Sequence, residues 1–196
     1  MSSPAVPTAA AKNIFRRFGG NRRGSAIIEF ALIAPVFIAL LFAILETSLM
    51  FFAGQTLQTI NENAARLIRT GQAQSSSQYA SVSNYLTNAI CTQNHILFAC
   101  SAVNGTTNGI SVDVKSYSSF QNVSISSQIS SGNFDTSTLS YSLGNSCDVV
   151  VARLFYKWPL FVTGLGYNIS NLTGNQRLLV ATAVFRNEPY NGACGS

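Results

Sequence analysis

The clearest capacity for chemistry lies in GSAIIEF, residues 24–30, where Glu29 follows Ser25 by four positions. Residues four apart lie on the same face of a helix. A protease that cut after Gly24 would therefore release an α-amine on Ser25 within one helical turn of the Glu29 carboxylate. Glu29 would then be positioned as the partner of the new amine. The alternative is an uncut chain in which Glu29 is an interfacial acid stabilised by the helix dipole.

The four cysteines form the second group with chemical potential, and all lie in the second half of the chain. Four cysteines allow three disulfide connectivities. We favour Cys91 with Cys100, which closes a small loop, and Cys147 with Cys194, which ties the C-terminal tail to a strand. His95 completes a C-x3-H-x4-C pattern, but structural zinc sites need four ligands at tighter spacing. We therefore expect two disulfides and no metal.

No catalytic set is visible in the sequence. The chain has one histidine and lacks G-x-S-x-G, H-E-x-x-H and P-loop motifs. We expect no catalytic residue, no cofactor and no enzymatic activity.

Positive charge is concentrated in the residues that precede the helix carrying Glu29. Of the twelve Lys and Arg residues, five lie before residue 24, and the remaining seven are matched by seven acids. The chain after Gly24 is neutral, which argues against nucleic-acid binding. Residues 1–24 are predicted to be a basic cytoplasmic leader.

A membrane-spanning helix is predicted next. Residues 30–45 carry no charge, and the apolar run continues to residue 53 if Glu46 is tolerated near lipid headgroups. The leader cations place the N-terminus in the cytoplasm by the positive-inside rule, and the cysteines outside. We expect the transmembrane segment at about 30–53.

The helix is expected to continue to residue 71, where Gly71 is a plausible C-cap. An apolar stripe with alternating spacings of three and four marks one narrow face of this second half. We expect this stripe to pack mainly against the chain's own domain and the membrane half to serve assembly. Its members are Met50, Ala53, Leu57, Ile60, Ala64 and Leu67.

The rest of the chain is predicted to form an extracytoplasmic α+β domain over residues 79–196, after a linker at 72–78. A second helix is indicated by Val82, Tyr85, Leu86, Ala89 and Ile90 at helical spacing. Four later segments either alternate apolar and polar residues or are rich in apolar residues, as expected of antiparallel strands. They are ISVDVKSY, NVSISSQI, CDVVVARLFYKW and RLLVATAVF.

The segment RRGSAIIEFALIAPVFIALLFAILE, taken with NENAARLIRTGQAQ, resembles the TadE-like family of tight-adherence (Flp, type IVb) pilus assembly proteins. The resemblance covers about residues 22–74. It implies that Gly24 precedes the cut, that Ser25 is the first mature residue, and that Glu29 is the acid at mature position five. Phe30 stands where major Flp pilins typically carry Tyr, and Pro35 could bend the mature helix.

The resemblance implies a minor pilin or pseudopilin in the bacterial inner membrane, with its C-terminal domain periplasmic. The implied partners are a prepilin peptidase, other pilins or pseudopilins, the pilus assembly platform and membrane lipid. Homo- or hetero-oligomers would form through the N-terminal helix. The alternative is an uncleaved, membrane-anchored periplasmic binding module.

Overall fold

A computed structural model describes residues 25–93, 97–100, 109–162, 167–190, 192 and 194. The predicted leader, Gly24 included, lies outside these residues, as does His95. The chain divides into two compact units, Met1–Leu45 and Glu46–Ser196. Helix α1, Ser25–Arg69, contributes to both.

In the first unit, α1 exposes an almost wholly apolar surface. Large hydrophobic side chains are exposed at most positions, and an 18-residue window of the helix has a mean hydropathy of 2.7 with none of it buried. A core helix of a soluble domain would hide such residues. By length and composition, α1 can cross a membrane, as the sequence predicts. The helix continues through Pro35, which lacks the backbone N–H of a helix interior.

In the second unit, α1 buries the predicted stripe. Met50, Ala53, Leu57, Ile60 and Ala64 are buried in the domain core, and Leu67 packs against it. The stripe therefore serves the chain's own domain.

The C-terminus of α1 is closed by Gly71. Its φ is +77°, and its N–H donates to the Ile68 carbonyl at 3.0 Å. A Cβ at this position would overlap the ring of Tyr190. Glycine is thus required both for the left-handed conformation and for the space.

The segment after Gly71, predicted as a linker, contains α2, Gln72–Ser75, and a 3-10 turn, Ser77–Tyr79. The second predicted helix begins as α3, Val82–Tyr85, and continues as a π-helical turn, Leu86–Ile90, and a 3-10 turn, Cys91–Gln93. Four of its five predicted face residues are buried, and Val82 packs beside them.

The main sheet has three antiparallel strands in the order β1-β4-β5, namely β1 Ser111–Tyr117, β4 Val149–Pro159 and β5 Gln176–Arg186. A separate hairpin joins β2, Ile129–Ser130, to β3, Asn133–Phe134. The α+β class is confirmed. Three of the four predicted strand segments form the sheet, whereas NVSISSQI is mostly irregular and exposed.

The two faces of the sheet are covered differently. The helices cover one face and enclose the main core, while the irregular segment between β1 and β4 covers part of the other. There Asp113 and Arg153 form a buried ion pair with an O–N distance of 2.6 Å. Asp113 also accepts the Ser140 N–H, and Arg153 donates to the Ser126 carbonyl. The pair therefore fastens the irregular segment to the sheet.

Both favoured disulfides are present. Cys91 pairs with Cys100 at a Cα–Cα distance of 5.7 Å, and Cys147 pairs with Cys194 at 5.6 Å. Both distances are ordinary for disulfides.

Candidate processing and assembly site

The N-terminal turns of α1 carry the residues predicted for processing and assembly. The described part of α1 starts at Ser25, and Glu29, one turn further along, is exposed. Phe30 is 73% exposed, and Pro35 is also exposed. Glu29, Phe30 and Pro35 are therefore all exposed on the helix surface.

Glu29 is the single charged residue of α1 before Glu46. A carboxylate placed among apolar side chains in lipid costs a few kcal/mol or more, and such residues generally mark functional positions. An ammonium group at residue 25 would offset part of this cost.

A second acid of α1, Glu46, has a role that the sequence did not reveal. Its side chain is buried, with 7% exposed, and its carboxylate accepts hydrogen bonds from the backbone N–H groups of Phe161 and Val162. The Val162 nitrogen lies 3.2 Å and 3.0 Å from the two carboxylate oxygens. Glu46 therefore binds the loop that follows β4.

The neighbouring residue of α1 makes a second contact with the same connection. The hydroxyl groups of Thr47 and Tyr167 are hydrogen-bonded. Two successive residues of the helix thus bind Phe161 and Val162 on the one hand and Tyr167 on the other.

Sequence spacing contains a signal for the burial of Glu46. This residue lies four positions before Met50 and so extends the buried stripe by one step. A charge at a stripe position predicts a buried acid with partners rather than a surface acid at a lipid headgroup. Its partners lie 115 and 116 residues away and are backbone groups, which no sequence pattern identifies.

A shallow open groove of about 380 Å³ lies between α1 and the free edge of β5. Gln58 contributes both amide atoms to the backbone of Thr182, with two contacts of 3.2 Å. The Gln58 amide thus satisfies the Thr182 backbone groups that a neighbouring strand would otherwise pair with at this edge. Glu62, Arg66 and Arg69 line the groove but are exposed on the helix surface.

The described residues do not bring metal-ligating side chains together. Among them, no group of three or more His, Cys, Asp or Glu residues could hold a metal ion. Cys91 and Cys100, the thiols of the C-x3-H-x4-C pattern, are joined to each other. The buried Asp113–Arg153 pair is occupied by structural hydrogen bonds.

Comparison with curated proteins and with solved structures finds no match to the chain. A match does exist to one protein family, associated with a structural role in tight-adherence pilus assembly. Residues 24–66, which include Gly24, Glu29, Glu46 and most of the buried stripe, match the family of TadE-like proteins, as the resemblance in the sequence predicts.

Proposed function

We propose that the protein is a minor pilin or pseudopilin-like structural component for the assembly of Flp pili, processed by a prepilin peptidase after Gly24. The observation that carries this proposal is the TadE-like match, which begins at residue 24. The exposed apolar surface of α1 supports it. The protein is then a substrate of the peptidase and has no catalytic activity of its own.

The proposed location is the bacterial inner membrane, with α1 crossing it once. The basic leader would face the cytoplasm, and the disulfide-bonded domain would face the oxidising periplasm. Its partners would be the peptidase, other pilins or pseudopilins and the assembly platform.

Glu29 would act by pairing with an α-amine that exists after the cut. The amine belongs either to Ser25 of the same chain or to that of a neighbouring subunit. Either pairing lowers the cost of a carboxylate in lipid. Pairing between subunits would also set the axial register of adjacent helices, with Phe30 and Pro35 on the surface that meets them.

Processing is tested by sequencing the N-terminus of protein purified from membranes. We expect a mature start at Ser25. The variant Gly24→Arg should retain the leader, whereas the matched variant Gly20→Arg, inside the leader, should be cut normally. An intact Met1 in the parent protein would reject processing and favour the uncleaved binding module.

The assembly role of Glu29 is tested with Glu29→Gln, which removes the charge but keeps the side-chain size. We expect normal cleavage and loss of pilus assembly. The control is Glu62→Gln, a second exposed acid of α1 that lies in the domain half and accepts a hydrogen bond from Gln58. Normal pili in cells carrying Glu29→Gln would contradict the register role.

A further inference from the structure

The loop after β4 presents an apolar residue that the fold of the domain does not use. Phe161 is 85% exposed, the largest exposed fraction among the large hydrophobic side chains described. Its backbone is nevertheless held, because its N–H and that of Val162 both donate to Glu46. The preceding Leu160 is buried. The exposed Phe161 ring is therefore attached to a backbone that these hydrogen bonds hold in place.

The position of this loop along α1 follows from the same hydrogen bonds. Exposed apolar side chains continue on the helix past Glu46, at Leu49, Phe51 and Phe52. At 1.5 Å per residue, Phe52 lies about 9 Å beyond Glu46 along the helix axis. After Phe52 the exposed positions are polar, beginning with Gln55. The loop thus meets the helix inside its apolar length, not beyond it.

The charge around this loop is one-sided. Between Asp148 and Glu188 the chain has no acid, and two of its cations, Lys157 and Arg177, lie at the loop ends of β4 and β5. Glu46 supplies the nearest negative charge known from contacts, and its carboxylate is occupied by the loop N–H groups. An exposed aromatic ring in a segment that carries cations and no acid is typical of the interface of an anionic membrane.

We propose that residues 160–162, at the end of β4, form a second membrane-contact site, in which Phe161 inserts into the interface of the bilayer that α1 crosses. The proposal rests on the membrane anchoring contained in the proposed function. Glu46 is the positioning residue: it accepts two backbone N–H groups and fixes the loop at lipid depth. The domain is then attached to the membrane surface at two points, the helix and the loop.

The test measures tryptophan quenching in the full chain reconstituted into phosphatidylglycerol-containing nanodiscs with and without brominated acyl chains. The chain has one tryptophan, so Trp158→Phe provides a silent background. Into it are placed Phe161→Trp, Phe120→Trp and Phe37→Trp. Phe120 is 58% exposed and follows β1 by three residues, at the Val149 end of β4. Phe161 follows the other end of β4, about 30 Å away along the strand.

Brominated lipid is expected to reduce the emission of Phe161→Trp and Phe37→Trp roughly twofold and to leave Phe120→Trp unchanged, because bromine quenches only at lipid depth. An unquenched Phe161→Trp beside a quenched Phe37→Trp would overturn the loop contact and leave the anchor intact. A blue-shifted but unquenched emission at residue 161 would indicate a protein partner and overturn it equally. An unquenched Phe37→Trp would overturn the anchor and the loop contact together.

Discussion

At the residue scale, α1 contains two acids in apolar surroundings, with opposite exposure. Glu29 is exposed, whereas Glu46 is buried and accepts hydrogen bonds from the chain's own backbone. Charge-assisted hydrogen bonds of this kind are about twice as strong as neutral ones. Exposure of Glu29 is what its proposed assembly role requires, whereas burial of Glu46 allows it to hold the chain's own backbone.

Replacing Glu46 by Gln is expected to destabilise the domain by about 1–2 kcal/mol, because one neutral oxygen replaces two charged acceptors for two backbone N–H groups. The effect should appear as a lower unfolding midpoint of the full chain in detergent and as faster hydrogen exchange of the Phe161 and Val162 amides. Glu62→Gln, at an exposed position of the same helix, is the control. Equal midpoints for the two variants would contradict the role assigned to Glu46.

Tyr85 provides a pH-dependent prediction. Burial raises the pKa of its hydroxyl far above the usual value near 10, and the neighbouring Tyr141 and Tyr79 raise it further. No described group forms a hydrogen bond with this oxygen. The folded state therefore keeps this hydroxyl neutral. In the unfolded chain the same tyrosine ionises above about pH 10, so the free energy of unfolding is unaffected by this group below that pH and falls as the pH rises further.

The variant Tyr85→Phe should accordingly flatten the loss of stability above pH 10 and be neutral or slightly stabilising at pH 7. Tyr141→Phe is the contrasting variant, since the Tyr141 hydroxyl donates to the Tyr79 carbonyl at 2.7 Å. We expect it to cost about 1 kcal/mol at pH 7. Denaturant unfolding at pH 7 distinguishes the two variants. Burial also raises the pKa of Tyr141, so the comparison at pH 11 is made between Tyr85→Phe and the parent chain, and an unchanged alkaline slope would contradict the assignment.

At the element scale, the spacing of apolar residues predicted the helices and strands that pack against apolar surfaces. The stripe in α1, the face of the second helix and the strands β1, β4 and β5 all have a repeating apolar pattern that burial requires. NVSISSQI alternates in the same way, yet its side chains are mostly exposed and it forms little strand. Alternation of apolar and polar residues produces a strand only where the edge of a sheet can pair with the segment. The outer edge of β1 is hydrogen-bonded instead to residues 140–142.

The contacts that fasten these elements together were beyond prediction. Glu46 binds backbone groups of a distant loop, and Arg153 joins Asp113 to the Ser126 carbonyl. These interactions depend on backbone positions that exist only after the chain has folded. Local patterns define elements, whereas such polar contacts depend on the tertiary arrangement.

The end of α1 offers a prediction that separates backbone strain from steric overlap. Gly71 and Gly174 both have φ of +77°, but an added Cβ overlaps Tyr190 at the first and meets nothing within 4 Å at the second. Gly174→Ala should cost about 1–2 kcal/mol from the left-handed conformation alone. Gly71→Ala should cost distinctly more in the same denaturation assay. Equal losses would show that Tyr190 moves aside freely.

At the scale of the whole molecule, the two units differ in the side chains that they expose. The unit Met1–Leu45 exposes apolar side chains over its described helix, whereas the unit Glu46–Ser196 has a buried core of its own. An exposed apolar helix is stable in lipid, and a buried core with disulfides is stable in an oxidising aqueous compartment. The first unit is thus suited to lipid and the second to water, which is the division that the proposed membrane anchoring requires.

The two disulfides should contribute unequally to the stability of the larger unit. They join residues 9 and 47 positions apart. The chain-entropy relation gives about 2.5 kcal/mol for the shorter loop and about 4 kcal/mol for the longer one. Replacing Cys147 and Cys194 together by Ala should therefore lower the free energy of unfolding more than replacing Cys91 and Cys100.

Denaturant unfolding of the full chain in detergent measures both double variants under the same non-reducing conditions. Peptide mapping without reduction checks the pairing itself, and a fragment linking Cys91 to Cys147 would reject it. If the pairing holds but the Cys91–Cys100 variant loses more stability, loop-closure entropy does not set the order of the two disulfides. The packing of Cys91 against the core would then account for the difference, because truncating a packed side chain leaves a cavity whose lining loses its contacts.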